Sequence, residues 1–222
     1  PRMKEYVESL RAIWRCWQNG EKLDYQGEHY QFSLMTPNFT PEPLPCEPPP
    51  IHIAAVGPGM MRVAGSVCDG ALLHGFCTKK YLEVNVMPTL LGALEKSGRD
   101  RKDFEISGGG FVATGPDDES VQTMVEWIRQ RIGFYGSTPS YWPVFEAHDL
   151  KDLGLKLNDM SKKGQWDAMT GEISDDIVRY FAAVGRHDEI ADAIRDRFGG
   201  LTDVIACEPG TPREVIQDIQ KI

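Results

Sequence analysis

The stretch IHIAAVGPGMMRVAGSVCDGALLHGF, residues 51–76, decides the fold. It opens with a short apolar run, passes through Gly57-Pro58-Gly59 into a helical pattern over residues 60–68, and ends in a second apolar run over residues 71–76. Short apolar runs joined by an amphipathic helix are typical of parallel strands that are covered on both faces. The stretch therefore predicts one β-α-β unit of a parallel sheet.

The same alternation continues towards the C-terminus. It predicts strands at residues 104–114 and 202–207, and helices at residues 80–97, 117–132, 175–183, 189–198 and 212–222. We count about four strands, whereas a (β/α)8 TIM barrel needs eight and usually about 250 residues. The fold class is therefore α/β, either as an open sheet or as a barrel whose N-terminal strands are missing. An opening helix with no strand before it favours the second reading, as a single domain over residues 1–222.

Upstream of the deciding stretch the chain opens with an amphipathic helix. Its apolar residues recur at spacings of three and four, and Gly20 is placed to end it. Residues 22–50 form an insertion: a hairpin over residues 22–34, then a proline-rich loop in which seven prolines argue against a helix or a central strand. Residues 133–172 form a second, partly helical insertion.

Composition excludes several classes of function. The formal net charge of −9 disfavours nucleic acid as a partner. No run approaches the roughly 18 apolar residues that cross a membrane. The five cysteines are odd in number and lack C-x-x-C spacing, which argues against a disulfide framework or a zinc site and fits the cytoplasm.

The turn Gly57-Pro58-Gly59 is a candidate phosphate site. Glycines let a ligand approach the backbone, and the free N–H groups and dipole of the next helix attract an anion. Arg62 stands where the dinucleotide motif G-x-G-x-x-G needs its third glycine, so that motif is absent. A plain strand-to-helix turn is the alternative at this point.

His74 is a candidate binding or catalytic residue, because it lies at the end of the predicted strand ALLHGF. Binding and catalytic groups of barrels lie at the C-terminal ends of strands, and the alternative is a rim histidine whose ring nitrogens are satisfied. Gly108-Gly109-Gly110 predicts either close approach of a ligand or room for a bulky neighbour. His29, His52 and His187 have no partner at metal-ligand spacing, so no metal is expected.

Two stretches resemble luciferase-like proteins. Residues 49–76 contain the helix end Ala64-Gly65-Ser66-Val67-Cys68-Asp69-Gly70, in which the family often has alanine where Cys68 stands. Residues 133–148, GFYGSTPSYWPVFEAH, are similar to the subgroup that uses the deazaflavin coenzyme F420, as are the later stretches GQWDAM and FAAVGRHDEIADAI. In their order, these motifs extend the resemblance over nearly the whole chain.

The resemblance implies a (β/α)8 barrel with the cofactor ring at its C-terminal mouth. It implies cofactor contacts at Val56, Gly57, Pro58, Gly59, Met60, His74 and Gly75, and substrate contacts at Phe76 and Thr78. Tyr135-Gly136-Ser137-Thr138 lies in the second insertion, where it lines a substrate entrance or serves as a structural loop. Catalytic residues are expected on the first strands of the family's barrel, so none is named.

Three functions remain open. The first is an F420-dependent oxidoreductase that transfers a hydride to or from a small organic substrate, with the chemistry carried by the cofactor. The second is an FMN-dependent monooxygenase of the same superfamily. The third is an inactive fragment or pairing half, because exposed strand edges invite association, either as a homodimer or with another barrel half.

Overall fold

The computed structural model describes residues 1–221 and contains ten α-helices in that range. The helices are α1 (Arg2–Asn19), α2 (Pro58–Val67), α3 (Lys79–Tyr81), α4 (Met87–Lys96), α5 (Asp118–Gly136), α6 (Trp142–Glu146), α7 (Lys151–Lys162), α8 (Asp175–Phe181), α9 (Ile190–Phe198) and α10 (Arg213–Ile219). A π-helical turn, Leu82–Val86, joins α3 to α4, and short 3-10 turns lie at Pro37–Phe39, Arg101–Asp103, Pro139–Tyr141 and Asp167–Glu172. None of the described helices is long and apolar enough to cross a membrane.

Seven strands lie in three small sheets of the described chain. They are β1 (Tyr25–Gln26), β2 (Gln31–Phe32), β3 (His52–Ala54), β4 (Gly70–Leu73), β5 (Glu105–Gly108), β6 (Phe111–Gly115) and β7 (Ala182–Arg186). The sheets are the hairpin β1-β2, a three-stranded sheet in the order β3-β4-β5, and the parallel pair β6-β7. The chain, expected to be one domain, divides into two compact units. Unit 1 is Pro1–Ala71 with Thr89–Glu105, and unit 2 is Leu72–Pro88 with the residues from Ile106 onwards.

The predicted opening helix and hairpin are both confirmed in unit 1. Helix α1 ends where expected, since Gly20 adopts a left-handed conformation (φ 69°) and its N–H donates to the carbonyl of Cys16. Tyr25 lies opposite Phe32 in the antiparallel pair β1-β2. The prolines of the following loop predicted no helix, but the loop contains the 3-10 turn Pro37–Phe39. The rest of the loop, up to β3, has no helix or strand.

Asp69 connects four segments of unit 1. Its carboxylate accepts the backbone N–H of Ile51 at 2.7 Å and pairs with Arg11 of α1 at 2.8 Å and with Arg99, after α4, at 3.7 Å. The Asp69 backbone carbonyl accepts the N–H of Glu105 at 2.9 Å. One residue thereby aligns the beginnings of β3, β4 and β5 and fixes α1 beside them.

The predicted strand at residues 104–114 is wrong as a single element. Gly108 and Gly109 adopt left-handed conformations, with φ 85° and 97°, so β5 ends at Gly108 and β6 begins at Phe111. The predicted helix at residues 175–183 is also too long: α8 ends at Phe181, and Ala182–Arg186 is the missed strand β7. β7 pairs with β6 from Phe111 opposite Ala182 to Gly115 opposite Arg186.

The C-terminal predictions need two further corrections. Residues 202–207 form no named strand, and Val204 makes a single parallel bridge to Ser107. Helix α10 begins at Arg213 rather than at Pro212, and Pro212 occupies the N-cap position. Thr211, the residue before it, donates its hydroxyl to the carbonyl of Glu208 at 2.8 Å.

The predicted helix at residues 80–97 exists as α3, the π-helical turn and α4. Leu82, Val86, Leu90 and Leu94 are buried, as the apolar spacing predicted. The neighbouring Leu91 is 41% exposed, because one residue turns the helix by about 100° away from the row of Leu90 and Leu94.

Gly65 provides a direct test of the packing in unit 1. A Cβ at Gly65 of α2 would lie 2.8 Å from the Cβ of Ala93 and 3.0 Å from the carbonyl oxygen of Leu90, whereas a Cβ at Gly92 of α4 would meet nothing within 4 Å. We expect Gly65→Ala to lower the free energy of unfolding by about 1–3 kcal/mol through overpacking. Gly92→Ala should raise it by about 0.5–1 kcal/mol, because alanine favours a helix. Urea unfolding measures both, and equal effects of the two changes would contradict this packing.

Candidate functional site

The turn after β3 presents unpaired backbone donors in unit 1. Gly57 is the N-cap of α2 in an extended conformation (φ −102°, ψ 162°), and the first N–H donated inside the helix is that of Met61, to the carbonyl of Gly57. The amides of Gly59 and Met60 therefore have no acceptor within the helix. Pro58 and Gly59 are helical residues, so the helix starts two residues earlier than the sequence predicted.

The space around this turn is open. A Cβ at Gly57 or Gly59 would meet no atom within 4 Å, and Val56 is 36% exposed. The positive end of the α2 dipole and two backbone donors thus face accessible space. Such an arrangement can bind a phosphate or another anion through main-chain atoms alone.

His74 has a defined tautomer in unit 2. It is the first residue after β4, which ends at Leu73, and its Nδ1 accepts the backbone N–H of Phe76 at 2.9 Å. Burial lowers the pKa of the His74 imidazole below its usual 6.5, so the ring is neutral at pH 7 and its proton lies on Nε2. The ring lies against Tyr135 at 4.5 Å and Tyr141 at 4.9 Å. His74 therefore offers one fixed hydrogen-bond donor inside an aromatic cluster.

The three other candidates after β4 are more enclosed. The ring of Phe76 is 1% exposed and contacts Phe145 and Phe181, so packing accounts for it in this structure. A Cβ at Gly75 would lie 2.7 Å from the ring of Phe111, which explains the glycine there. Thr78 is fully buried, and its Oγ1 accepts the N–H of Tyr81. Cofactor or substrate contacts of these residues stay predictions.

His148 is a candidate that the sequence analysis did not single out. Its Nε2 lies 2.8 Å from Thr78 Oγ1, and its ring stacks on Tyr180 with centroids 4.3 Å apart. Burial, followed by the charges of Lys80 and Arg197, lowers the pKa of His148 below 6.5. Its only signal in the sequence was its position at the end of the block GFYGSTPSYWPVFEAH.

Arg197 explains the third glycine of Gly108-Gly109-Gly110. The guanidinium is 6% exposed and donates to the carbonyls of Tyr180 at 2.9 Å, Cys77 at 2.8 Å and Gly109 at 3.3 Å. A Cβ at Gly110 would clash with Arg197 Nη2. Of the two readings of this glycine run, Gly110 therefore fits room for a bulky neighbour.

One group of possible metal ligands occurs in the described chain. Ligand atoms of Glu5, Glu28 and His29 lie within 4.8 Å of one another, which spacing along the sequence did not reveal. The Glu5 carboxylate already accepts the backbone N–H groups of His29 and Tyr30. The hairpin thus accounts for this cluster without an ion.

Two buried cysteines, Cys68 and Cys77, are poorly suited to act as nucleophiles. All five are free thiols, and Cys16, Cys68 and Cys77 are buried. Burial raises the pKa of Cys68 to about 11 and that of Cys77 to about 12. Both thiols stay protonated at neutral pH, and a protonated thiol is a poor nucleophile.

Comparison with known proteins relates this chain to luciferase-like proteins. A family model described as luciferase-like monooxygenase matches residues 1–203. An uncharacterised protein of Mycobacterium tuberculosis H37Rv is 48% identical over 202 residues, which cover 91% of this chain and 59% of the relative. The 5,10-methylenetetrahydromethanopterin reductase of Archaeoglobus fulgidus is 26% identical over 217 residues, which cover 95% and 61%.

A solved structure shares the fold. The coenzyme F420 dependent tetrahydromethanopterin reductase of Methanopyrus kandleri matches with a TM-score of 0.71 and 18% identity, over 97% of this chain and 60% of that one. The chain thus spans about three fifths of the length of each of these relatives. The α/β arrangement described above is therefore of the luciferase-like type.

The neutral state of His74 can be tested by pH. A pKa lower in the folded than in the unfolded chain means that the unfolded chain binds more protons, so stability falls as the pH drops from 7 to 5. We expect the His74 resonances to titrate below pH 6.5 in NMR spectra. His74→Asn keeps an acceptor for the Phe76 N–H and removes the titration, so it should reduce the loss of unfolding free energy between pH 7 and pH 5. An unchanged loss would contradict the assignment.

Proposed function

Because the chain belongs to the luciferase-like monooxygenase family, we propose that it acts as an F420-dependent oxidoreductase, which transfers a hydride to or from a small organic substrate. The observation that carries the proposal is the open glycine N-cap of α2, with the amides of Gly59 and Met60 directed at accessible space. The Methanopyrus kandleri reductase, named for its dependence on coenzyme F420, is a fold relative that makes this cofactor the first candidate.

The residues present fit the phosphate of such a cofactor. Val56, Gly57, Pro58, Gly59 and Met60 form the turn that would hold it. The Gly57 and Gly59 positions leave space for phosphate oxygens, and main-chain N–H groups at a helix N-terminus bind them without a basic side chain. When bound, the deazaflavin supplies the hydride chemistry.

His74 supplies the second part of the proposal. Its Nε2–H is held in one direction by the bond from Phe76 N–H to Nδ1 and by contact with Tyr135 and Tyr141. A neutral, oriented donor can hydrogen-bond to a carbonyl oxygen of the cofactor or of the substrate without adding charge. Gly75, Phe76 and Thr78 follow it in the same loop, as proposed cofactor and substrate contacts.

There are two alternative functions: one uses a different cofactor, and the other has no activity without a partner. An FMN-dependent monooxygenase would use the same turn, since FMN also carries a phosphate, and the family description names monooxygenases. A pairing half without activity of its own is the other candidate, because exposed strand edges invite association. In that case a second copy or another barrel half would complete the site.

Cofactor titration distinguishes these functions. F420 and FMN are added separately to the full chain, and ligand fluorescence and the Tm are followed. We expect F420 to bind and to raise the Tm, since a ligand that binds only the folded state stabilises it. Binding of FMN alone would favour the monooxygenase, and binding of neither would favour the pairing half and contradict the proposal for this chain.

The variant Gly57→Asp tests the turn itself. A carboxylate at this position repels a phosphate, so we expect cofactor affinity to fall roughly tenfold or more, about 1.4 kcal/mol. Aspartate is a favoured N-cap residue, so the Tm of the unliganded chain should not fall. Gly57→Ser, an uncharged N-cap, should retain binding.

The matched control adds the same charge elsewhere. Gly171 is an exposed residue of the 3-10 turn Asp167–Glu172 in unit 2, and a Cβ there would meet nothing within 4 Å. Gly171→Asp should leave cofactor affinity unchanged. Equal losses in Gly57→Asp and Gly171→Asp would assign the effect to net charge and exclude the turn as the phosphate site.

A further inference from the structure

Arg197 is a buried cation without an acidic partner. None of the ion pairs among the described residues includes it, and its Nε has no hydrogen-bond partner. Desolvation lowers its pKa to about 10, which leaves the guanidinium charged at neutral pH. Buried charges in proteins are normally paired, because removing an ion from water costs several kcal/mol. Three carbonyl oxygens accept from Arg197, and its guanidinium carbon lies 4.8 Å from the ring centroid of Phe198, but no carboxylate among the described residues pairs with its charge.

A pocket of about 430 Å³ opens beside Arg197 in unit 2. Three further cations line it, Lys79, Lys80 and Arg179, against two carboxylates, Glu83 and Asp196. Lys79 is partly compensated, since its Nζ lies 3.9 Å from the Asp196 carboxylate. An excess of cations in one pocket contrasts with the net charge of −9 for the chain. The volume suits a small organic molecule.

His148 and Thr78 form another wall of the same pocket. The stack on Tyr180 and the contact with Thr78 Oγ1 hold the His148 ring in place. Lys80 and Arg197 act on this imidazole strongly enough to lower its pKa further, and Asp149 acts in the opposite direction. The ring is therefore a reporter of the charge inside the pocket.

We propose that this pocket binds the anionic group, a phosphate ester or a carboxylate, of the organic substrate. That the anion belongs to a substrate rests on the proposed function, whereas the binding of the anion does not. A purely structural arginine would explain the three bonds to carbonyl oxygens. It would not explain why Lys79, Lys80 and Arg179 line the same cavity. An anion in the pocket compensates the charge of Arg197, and guanidinium and ammonium groups bind phosphates and carboxylates strongly.

The test uses the cofactor-free full chain at constant ionic strength. Inorganic phosphate and acetate are titrated separately, with chloride as the reference, while NMR follows the ring resonances of His148. We expect saturable shifts and a higher pKa of His148 in the bound state, because the anion offsets Lys80 and Arg197. Saturation by phosphate alone supports a phosphate ester, and saturation by acetate supports a carboxylate. Saturation by neither anion overturns the proposal.

Two double variants distinguish anion binding in the pocket from a general effect of the chain's charge. Lys80 and Arg179 are exposed, so the double variant Lys80→Gln/Arg179→Gln should fold and should bind the anion roughly tenfold more weakly or worse. Lys162→Gln/Arg213→Gln removes the same charge from exposed sites outside the pocket and should leave affinity within about twofold. Equal weakening by both double variants overturns the proposal.

The outcome is independent of the cofactor experiment. Retained F420 binding without anion binding would remove the pocket from the substrate site and leave the proposed function intact. If the anion binds but F420 does not, the pocket remains an anion site, and the proposed F420-dependent function is wrong for this chain.

Discussion

The packing of unit 1 depends on the carboxylate of Asp69. It faces Arg11 and Arg99 and accepts the N–H of Ile51, so without it two arginines would lie close together with no counter-charge. Gly70, the next residue, has no room for a side chain, since a Cβ would lie 2.7 Å from the carbonyl oxygen of Glu105 and 2.8 Å from the His52 ring. The motif Ala-Gly-x-x-x-Asp-Gly, which carries much of the family resemblance, is therefore a packing motif. The open turn at Gly57 and Gly59 lies at the other end of α2, before this motif.

Local signals predicted most helices and the first β-α-β unit. Amphipathic spacing and caps, such as Gly20 at the end of α1, act within a few residues and are readable in one sequence. Strand β7 was missed because Ala182 and Ala183 favour a helix on their own, and only pairing with β6 makes them a strand. The reverse holds at residues 202–207, where a β-favouring pattern finds a single bridge at Val204.

The residues of the candidate site also fall into two groups: those that local sequence indicates and those that only folding brings together. The turn at Gly57 and the position of His74 follow from the rule that binding groups lie where parallel strands end, and both could be proposed from sequence. His148 and Arg197 could not, because they meet Thr78 and Cys77 across 70 and 120 residues. Their contacts exist only after folding, and no spacing rule connects them. Burial also sets protonation states that the residue type alone does not determine. It keeps the ring of His74 neutral and the thiol of Cys77 protonated.

Gly110 and Arg197 share one space, and this restricts how the chain can evolve. Any side chain at position 110 would displace the guanidinium, which would then lose its bonds to Cys77 and Tyr180. Shortening Arg197 alone would leave three carbonyl oxygens without their donor and a void beside the glycine. The two positions are therefore epistatic, since each substitution is harmful alone and tolerable only when the other compensates. Lineages that exchange this arginine must cross a fitness valley or change both residues together.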